Sequence, residues 1–135
     1  MSGETDLGKL LASLSPSLDP VPYVFATLPV GLDIPAGIVP LATFVEAEGL
    51  SLVVEATSWP ASIGTASAPY ARLTMMVHSS LEAVGMTAAM AAALTAAGIS
   101  ANVVAAFHHD HIFVPWDRRQ EAMRAIEALA RSSTG

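Results

Sequence analysis

The sequence of 135 residues contains no cysteine. This absence excludes disulfide bonds, thiolate metal ligands and cysteine nucleophiles, and it is typical of a cytoplasmic protein. Charged residues are scarce at 13% of the chain, and lysine occurs once, at Lys9. Twelve acidic side chains against six basic ones give a formal net charge of −6, which repels phosphate backbones. We therefore expect a cytoplasmic protein with no nucleic acid partner.

Targeting and membrane signals are also missing. Residues 1–15 contain no basic segment followed by an unbroken apolar stretch, so no signal peptide is expected. Residues 83–109 carry no Asp, Glu, Lys or Arg and are long enough to span a bilayer. However, the stretch is rich in weakly apolar alanine, and Gly98-Ile99-Ser100 indicates a helix stop followed by a strand. We therefore expect a buried helix running into a buried strand, and no membrane partner.

Apolar residues, in contrast, are abundant at 53% of the chain. A chain of this length has room for one ordinary domain or two very small ones. So many apolar side chains on a small chain predict a large core together with surface buried against a partner. We expect a homodimer.

Local patterns predict an α+β protein. Leucines at helical spacing precede Pro16, and helices are also predicted over Leu41–Glu48 and from Met86 to Ala97. A last helix is predicted after Asp117 as its cap, with Arg118 and Arg119 on a solvated face. Strands are predicted at Tyr23–Leu28, Leu50–Glu55, Arg72–Val77, Ala101–Phe107 and His111–Val114, with His108-His109-Asp110 as a hairpin turn.

The two halves of the chain align weakly when shifted by about 49 residues, and each follows the order strand, linker, helix, glycine, strand. In this register Gly49-Leu50-Ser51 falls on Gly98-Ile99-Ser100. Any α+β protein can yield such an overlay, but a duplication is favoured. The second half has the order of a ferredoxin-like fold, with helices on one face of an antiparallel sheet. We predict two modules packed side by side, at residues 1–66 and 67–135.

Several segments resemble the ACT domain, the regulatory module of amino-acid-metabolic enzymes such as aspartate kinase. The resemblance rests on Gly85 before an apolar helix, on Leu94 near its end, and on the turn Ala97-Gly98-Ile99-Ser100-Ala101-Asn102-Val103. Residues 77–85 and 108–115 are similar to a family of small bacterial stand-alone ACT proteins, as are residues 3–7 and 23–28. The resemblance implies two ferredoxin-like ACT modules of the βαββαβ type, the first of them degenerate.

In ACT domains, ligands generally lie between two modules. The resemblance therefore implies a ligand site for an amino acid or a similar small metabolite. Helix-start N–H groups attract a carboxylate, and an exposed strand edge with an Asn amide can hold an ammonium group. The residues implied are Ser79, Ser80, Gly85 and Met86 at the first loop and helix, and Ile99, Ala101 and Asn102 at the strand edge.

Two chemical alternatives centre on histidine. His108, His109, Asp110 and His111 are potential ligands for zinc or nickel, but neighbouring strand residues point to opposite faces, which favours a polar hairpin turn. His78 beside Ser79 could indicate a hydrolase, but no Gly-x-Ser-x-Gly elbow is present. We expect neither catalysis nor a cofactor.

The sequence thus predicts a non-catalytic regulatory or sensor protein that binds an amino acid. One alternative is an oligomeric structural or interaction module that needs no ligand. Another is a metal-binding protein that uses the turn from His108 to His111.

Overall fold

A computed structural model describes residues 6–77 and 84–133. Its regular elements are three helices and seven strands, with two short 3-10 turns at Ala56–Ser58 and Trp116–Arg118. In chain order these are α1 (Leu7–Ala12), β1 (Pro16–Leu18), β2 (Tyr23–Pro29), β3 (Ala42–Glu46), β4 (Gly49–Glu55), β5 (Tyr70–Met75), α2 (Met86–Ala96), β6 (Asn102–Ala105), β7 (Asp110–Pro115) and α3 (Arg119–Ser132).

The chain divides into two compact units. The larger unit combines the N-terminal residues through Asp19 with the chain from Ala71 onward, and the smaller unit is Pro20–Tyr70. Because α1 and β1 belong to the larger unit, that unit is assembled from two stretches that are far apart in sequence. The predicted division of the sequence at residue 66 stays a prediction about the two modules.

The sheet of the larger unit has the strand order β1-β5-β7-β6. β1 runs antiparallel to β5 with Ser17 opposite Thr74, and β6 runs antiparallel to β7 with Val104 opposite His111. This is the ferredoxin-like order, in which the last strand lies beside the first. The upstream strand β1 fills the place that would otherwise follow α3. The predicted α+β, ferredoxin-like fold is confirmed.

The helices of the larger unit cover one face of this sheet. Met86, Met90 and Leu94 recur every four residues along α2, and all three are buried in one core. Side chains from alternate positions of β5 and β7 meet them there, because successive strand residues point to opposite faces. The core also includes Leu10, Leu14, Leu73, Met75, Ile112, Val114 and Ile126.

The uncharged stretch predicted as a buried helix followed by a buried strand forms α2 and β6. The predicted burial of the strand is wrong, because Asn102, Val104 and Ala105 are exposed and Val103 is half-buried. Within the ranges 6–77 and 84–133, no helix has both the length and the apolar character needed to cross a bilayer.

The smaller unit has an antiparallel sheet with β4 between β3 and β2. Val24 lies opposite Val54, and Thr43 lies opposite Leu52. Loop side chains, rather than helices, cover the apolar face of this sheet and bury Val24, Leu28 and Val54. These covering residues are Ile34, Ile38, Trp59 and Ile63.

The predicted helix over Leu41–Glu48 is wrong, because Ala42–Glu46 forms strand β3. Leu41, Phe44 and Val45 have helical spacing, but Thr43, Phe44 and Val45 are also residues that favour strands. Pairing with β4 along the whole of β3 decides the conformation. The first half of the chain therefore lacks the helix that the internal overlay assigned to it.

The predicted cap at Asp117 is also wrong. Asp117 lies in the 3-10 turn, and α3 begins at Arg119 without a side-chain cap bond from its N-cap residue, Arg118. The Arg119 guanidinium packs 3.8 Å from the centre of the Trp116 ring and donates to the Trp116 carbonyl at 2.7 Å. These contacts hold the tight turn that replaces the expected cap.

Candidate functional site

The start of α2 is the first half of the predicted ligand site. Gly85 is the N-cap with φ +97°, and no side chain caps this helix end. A Cβ at Gly85 would lie 3.0 Å from Cδ2 of Leu7, so both space and conformation favour glycine. The Met86 side chain is buried in the core, which leaves its backbone as the part that could face a ligand. Ser79 and Ser80, like His78, lie outside the described residues.

The turn after α2 is the second half. Gly98 has φ +73°, and the N–H groups of Gly98 and Ile99 donate to the carbonyls of Thr95 and Leu94, each at 2.9 Å. These bonds close the helix in a Schellman-type cap. The Ile99 side chain is buried in the core and its N–H is used by the cap, so only its carbonyl is left for a ligand.

Asn102 and Ala101 lie where this turn enters the sheet. Asn102 is exposed and pairs with Phe113, while Ala101 is half-buried. β6 is the terminal strand of the sheet order, so within the described chain its second edge has no neighbouring strand. The Asn102 amide and this strand edge are available to a ligand or to another strand.

The two halves of the predicted site lie at opposite ends of α2. An 11-residue helix is about 16 Å long at 1.5 Å per residue, which exceeds the length of most amino acids. One unit therefore does not bring Gly85 and Asn102 together around a single small molecule.

Asp110 lies at the same end of the larger unit as Gly85. The Thr74 hydroxyl is 3.0 Å from Nδ1 of His111, which places Asp110 beside the last residues of β5. The N–H of Met76, the residue after the end of β5, donates to the carbonyl of Ser15, which lies shortly after α1, at 2.9 Å. α1 is only six residues long, and its first residue, Leu7, packs against Gly85.

Asp110 is the buried acidic residue of the described chain, with 9% of its surface exposed. It pairs with Ala105 and is in phase with Ile112 and Val114, so it lies on the face of the sheet that the helices cover. Burial raises the pKa of this carboxyl above its usual value, and the nearby His109 opposes that effect. Sequence reasoning missed Asp110 by placing it in a turn, although its spacing from Ile112 and Val114 was a usable signal.

The histidines around Asp110 have different surroundings. His111 lies on the opposite face of β7 and contacts Thr74, and its pKa is lowered by burial and then by Arg72 and His109. His109 is partly buried, and its Nδ1 has no hydrogen-bond partner among the described residues. Over the same ranges, no three His, Cys, Asp or Glu side chains converge to hold a metal ion.

Arg118 has a structural contact that the sequence did not reveal. Its guanidinium donates to the carbonyl of Ala97 at 3.1 Å and pairs with Glu121 at 2.8 Å. It therefore reaches the carbonyl end of α2, where a positive charge is favourable. The prediction of a solvated face missed this role.

Two family models match the chain, and both describe an ACT domain. One covers residues 2–59 and the other covers residues 68–128. A search of curated proteins found no match.

Solved structures agree with these matches. A Vibrio cholerae protein of unknown function, described as a possible transport protein, is 45% identical, with a TM-score of 0.82 over 92% of this chain and 95% of that chain. An Agrobacterium tumefaciens protein is 18% identical, with a TM-score of 0.74 over 87% of this chain and 89% of that chain. The ligand-free regulatory subunit of aspartate kinase from Thermus thermophilus is 14% identical, with a TM-score of 0.59 over 87% of this chain and 98% of that chain, and it shares the fold. The chain belongs to the ACT-domain family and carries two ACT domains in tandem.

Proposed function

We propose that this protein is a non-catalytic sensor that binds an amino acid, and that its active form is a homodimer. The ACT domains and the fold shared with aspartate kinase regulatory subunits support a regulatory role. The proposed ligand residues remain Ser79, Ser80, Gly85, Met86, Ile99, Ala101 and Asn102.

The observation that carries this proposal is the separation of the two halves of the site. About 16 Å of helix lies between Gly85 and the turn at Gly98, so the start of α2 and the β6 edge serve one ligand only if they come from different copies of the unit. In a two-fold dimer, the helix start of one copy would hold the ligand carboxylate and the β6 edge of its partner would complete the site.

The lack of charge in the stretch that joins both halves supports an approach of two copies. The chain carries a net charge of −6, which repels a second copy over most of its surface. Residues 83–109, which include α2 and β6, contain no Asp, Glu, Lys or Arg. The exposed residues of this stretch offer no charge that would repel a second acidic chain.

A thermal-shift panel of the 20 common L-amino acids, each at about 5 mM, tests ligand binding. We expect one chemical group of amino acids to raise the melting temperature by mass action, because a ligand that binds only the folded state stabilises it. D-enantiomers of the best binders serve as the matched control. If no amino acid shifts the melting temperature, the sensor proposal is wrong.

A second candidate function is an interaction module that needs no ligand, and the exposed apolar surface of the smaller unit favours it. Phe44 is 74% exposed and Val45 is 84% exposed, although they are neighbours in β3 and point to opposite faces. Val30, Leu32 and Val39 are also exposed in this unit. Large apolar side chains left exposed in this number can serve as contacts for another protein. Specific self-association in the absence of any amino-acid effect would favour this candidate.

A further inference from the structure

We propose that Asp110 is a ligand-binding residue that recognises a protonated primary amine, the α-ammonium group of the bound amino acid. This inference rests on the proposed sensor function and adds to it the residue that selects the charge of the ligand. It requires a carboxyl group that is mostly buried and has no hydrogen-bond or ion-pair partner among the described residues.

The burial of Asp110 is the first step of the argument. Only 9% of its surface is exposed, and it lies in phase with two core residues of β7, Ile112 and Val114. An isolated carboxylate in such surroundings is unfavourable unless a positive charge or a set of hydrogen bonds compensates it. Within residues 6–77 and 84–133, no hydrogen bond or ion pair to this side chain is present.

The neighbouring His109 strengthens the argument. Its Nδ1 is buried, and among the described residues it also lacks a hydrogen-bond partner. An unpaired buried nitrogen beside a mostly buried carboxyl group is unusual, because buried polar groups in folded proteins are nearly always hydrogen-bonded. Both groups are compensated if a polar molecule occupies this end of the unit.

The position of Asp110 in the larger unit indicates which group of the ligand it contacts. Asp110 and the uncapped start of α2 lie at the same end of the larger unit, as the contacts of Ser15 with Met76 and of Leu7 with Gly85 show. Helix-start N–H groups attract an anion, and a carboxylate attracts a cation. An amino acid carries its ammonium and carboxylate groups on the same α-carbon, so the two groups together recognise its common backbone part.

The test compares Asp110→Asn with the wild-type chain in the same amino-acid panel, followed by calorimetric titration of the best-binding amino acid. The substitution keeps the shape of the side chain and removes its charge. We expect affinity to fall by about tenfold or more, because hydrogen bonds between charged groups are the strong ones. Asp117→Asn, at an exposed position with the same change in charge, is the matched control and should bind as the wild type does.

Analogues of the same amino acid identify the recognised group. The N-acetyl derivative lacks the ammonium charge and should bind wild type about as weakly as the free amino acid binds the Asp110→Asn variant. The corresponding primary amine without a carboxylate should still discriminate between wild type and variant. The ratio of the affinities for the free amino acid and its N-acetyl derivative should be smaller in the variant than in wild type. If the two ratios are equal, Asp110 does not bind the ammonium group.

The stability of the ligand-free variant separates this role from a structural one. Asp110→Asn should fold with an unchanged or higher melting temperature, because it removes a mostly buried charge that has no hydrogen bond or ion pair among the described residues. A lower melting temperature would show that the carboxyl has an internal partner and would overturn the inference. Unchanged affinity of a stable variant would also overturn it while leaving the sensor proposal intact, whereas a wild-type chain that binds no amino acid would contradict both.

Discussion

At the scale of single residues, two glycines with positive φ differ in what surrounds them. Gly49 has φ +152°, and a Cβ there would overlap with the Leu28 carbonyl oxygen of the paired strand. Gly37 has φ +87° with nothing within 4 Å of a Cβ. Both positions therefore require a positive φ. A Cβ would in addition clash at Gly49, whereas it would enter open space at Gly37.

Gly49→Ala should therefore cost more stability than Gly37→Ala. We expect a loss of about 1 kcal/mol at Gly37 from the strained conformation and about 2 kcal/mol or more at Gly49, where the strand pair must also move apart. Urea unfolding of both variants measures the difference. Equal losses would show that the approach of β2 to Gly49 is not a tight contact.

His111 predicts a dependence of stability on pH. Burial, Arg72 and His109 lower its pKa, so the folded chain takes up a proton less readily than the unfolded chain does. The free energy of unfolding should therefore decrease as the pH falls through the usual titration range of histidine and below it. Unfolding in urea at about pH 7.5 and pH 5.5 brackets most of that range.

The variant that checks this effect is His111→Asn, which should lose less stability on acidification than wild type. His108→Asn is the matched control, because His108 is exposed in the turn before β7. Protonation of Asp110 acts in the opposite direction and mainly at lower pH, since its pKa is raised from that of an ordinary carboxyl. Equal pH dependence of wild type and His111→Asn would contradict the assignment to His111.

At the scale of elements, the sequence predicted α2 well and β3 poorly. The apolar residues of α2 and the glycines at both of its ends are local signals, and the helix forms over Met86–Ala96 as expected. In β3, helical spacing and strand-forming residue types contradict each other, and only pairing with β4 resolves them. Local periodicity cannot report such a long-range pairing.

The candidate site was also predictable only where local sequence signals determine it. The turn at Gly98 was recognised, yet the burial of the Met86 and Ile99 side chains depends on the packing of α2 against the sheet. Asp110 was assigned to a turn, because a polar run from His108 to Asp110 is typical of one. Its place in β7 follows from the pairing with Ala105, which residue types alone do not indicate.

The N-terminal helix α1 is a part of the larger unit that sequence order would assign elsewhere. Leu10 is fully buried in the core formed by α2, α3 and the strands, whereas Leu11 is only partly buried. Leu10→Ala should reduce the free energy of unfolding by about 2–5 kcal/mol, and Leu11→Ala by about 1 kcal/mol. A loss below that of Leu11→Ala would show that α1 contributes little to this core; chemical denaturation followed by circular dichroism gives both values.

At the scale of the whole molecule, two strand edges are candidates for the dimer interface. β6 has four residues without a charge or a proline, and Val104 on it is 38% exposed. β3 is an edge strand of the smaller unit, and its residues Phe44 and Val45 are 74% and 84% exposed. Edge strands without charged residues readily pair with another chain, and of these two edges β6 lacks a charge whereas β3 ends in Glu46.

We expect the β6 edge to form the dimer, because the proposed ligand site requires it. Val104→Lys should therefore convert the dimer to a monomer and abolish the amino-acid shift, since it places a charge in the paired edge. Val45→Lys is the matched control, with the same residue change on the β3 edge, and it should leave both properties unchanged. Light scattering after size exclusion measures the mass of each variant. The opposite result, a monomer only with Val45→Lys, would move the interface to the smaller unit and favour the interaction module over the sensor.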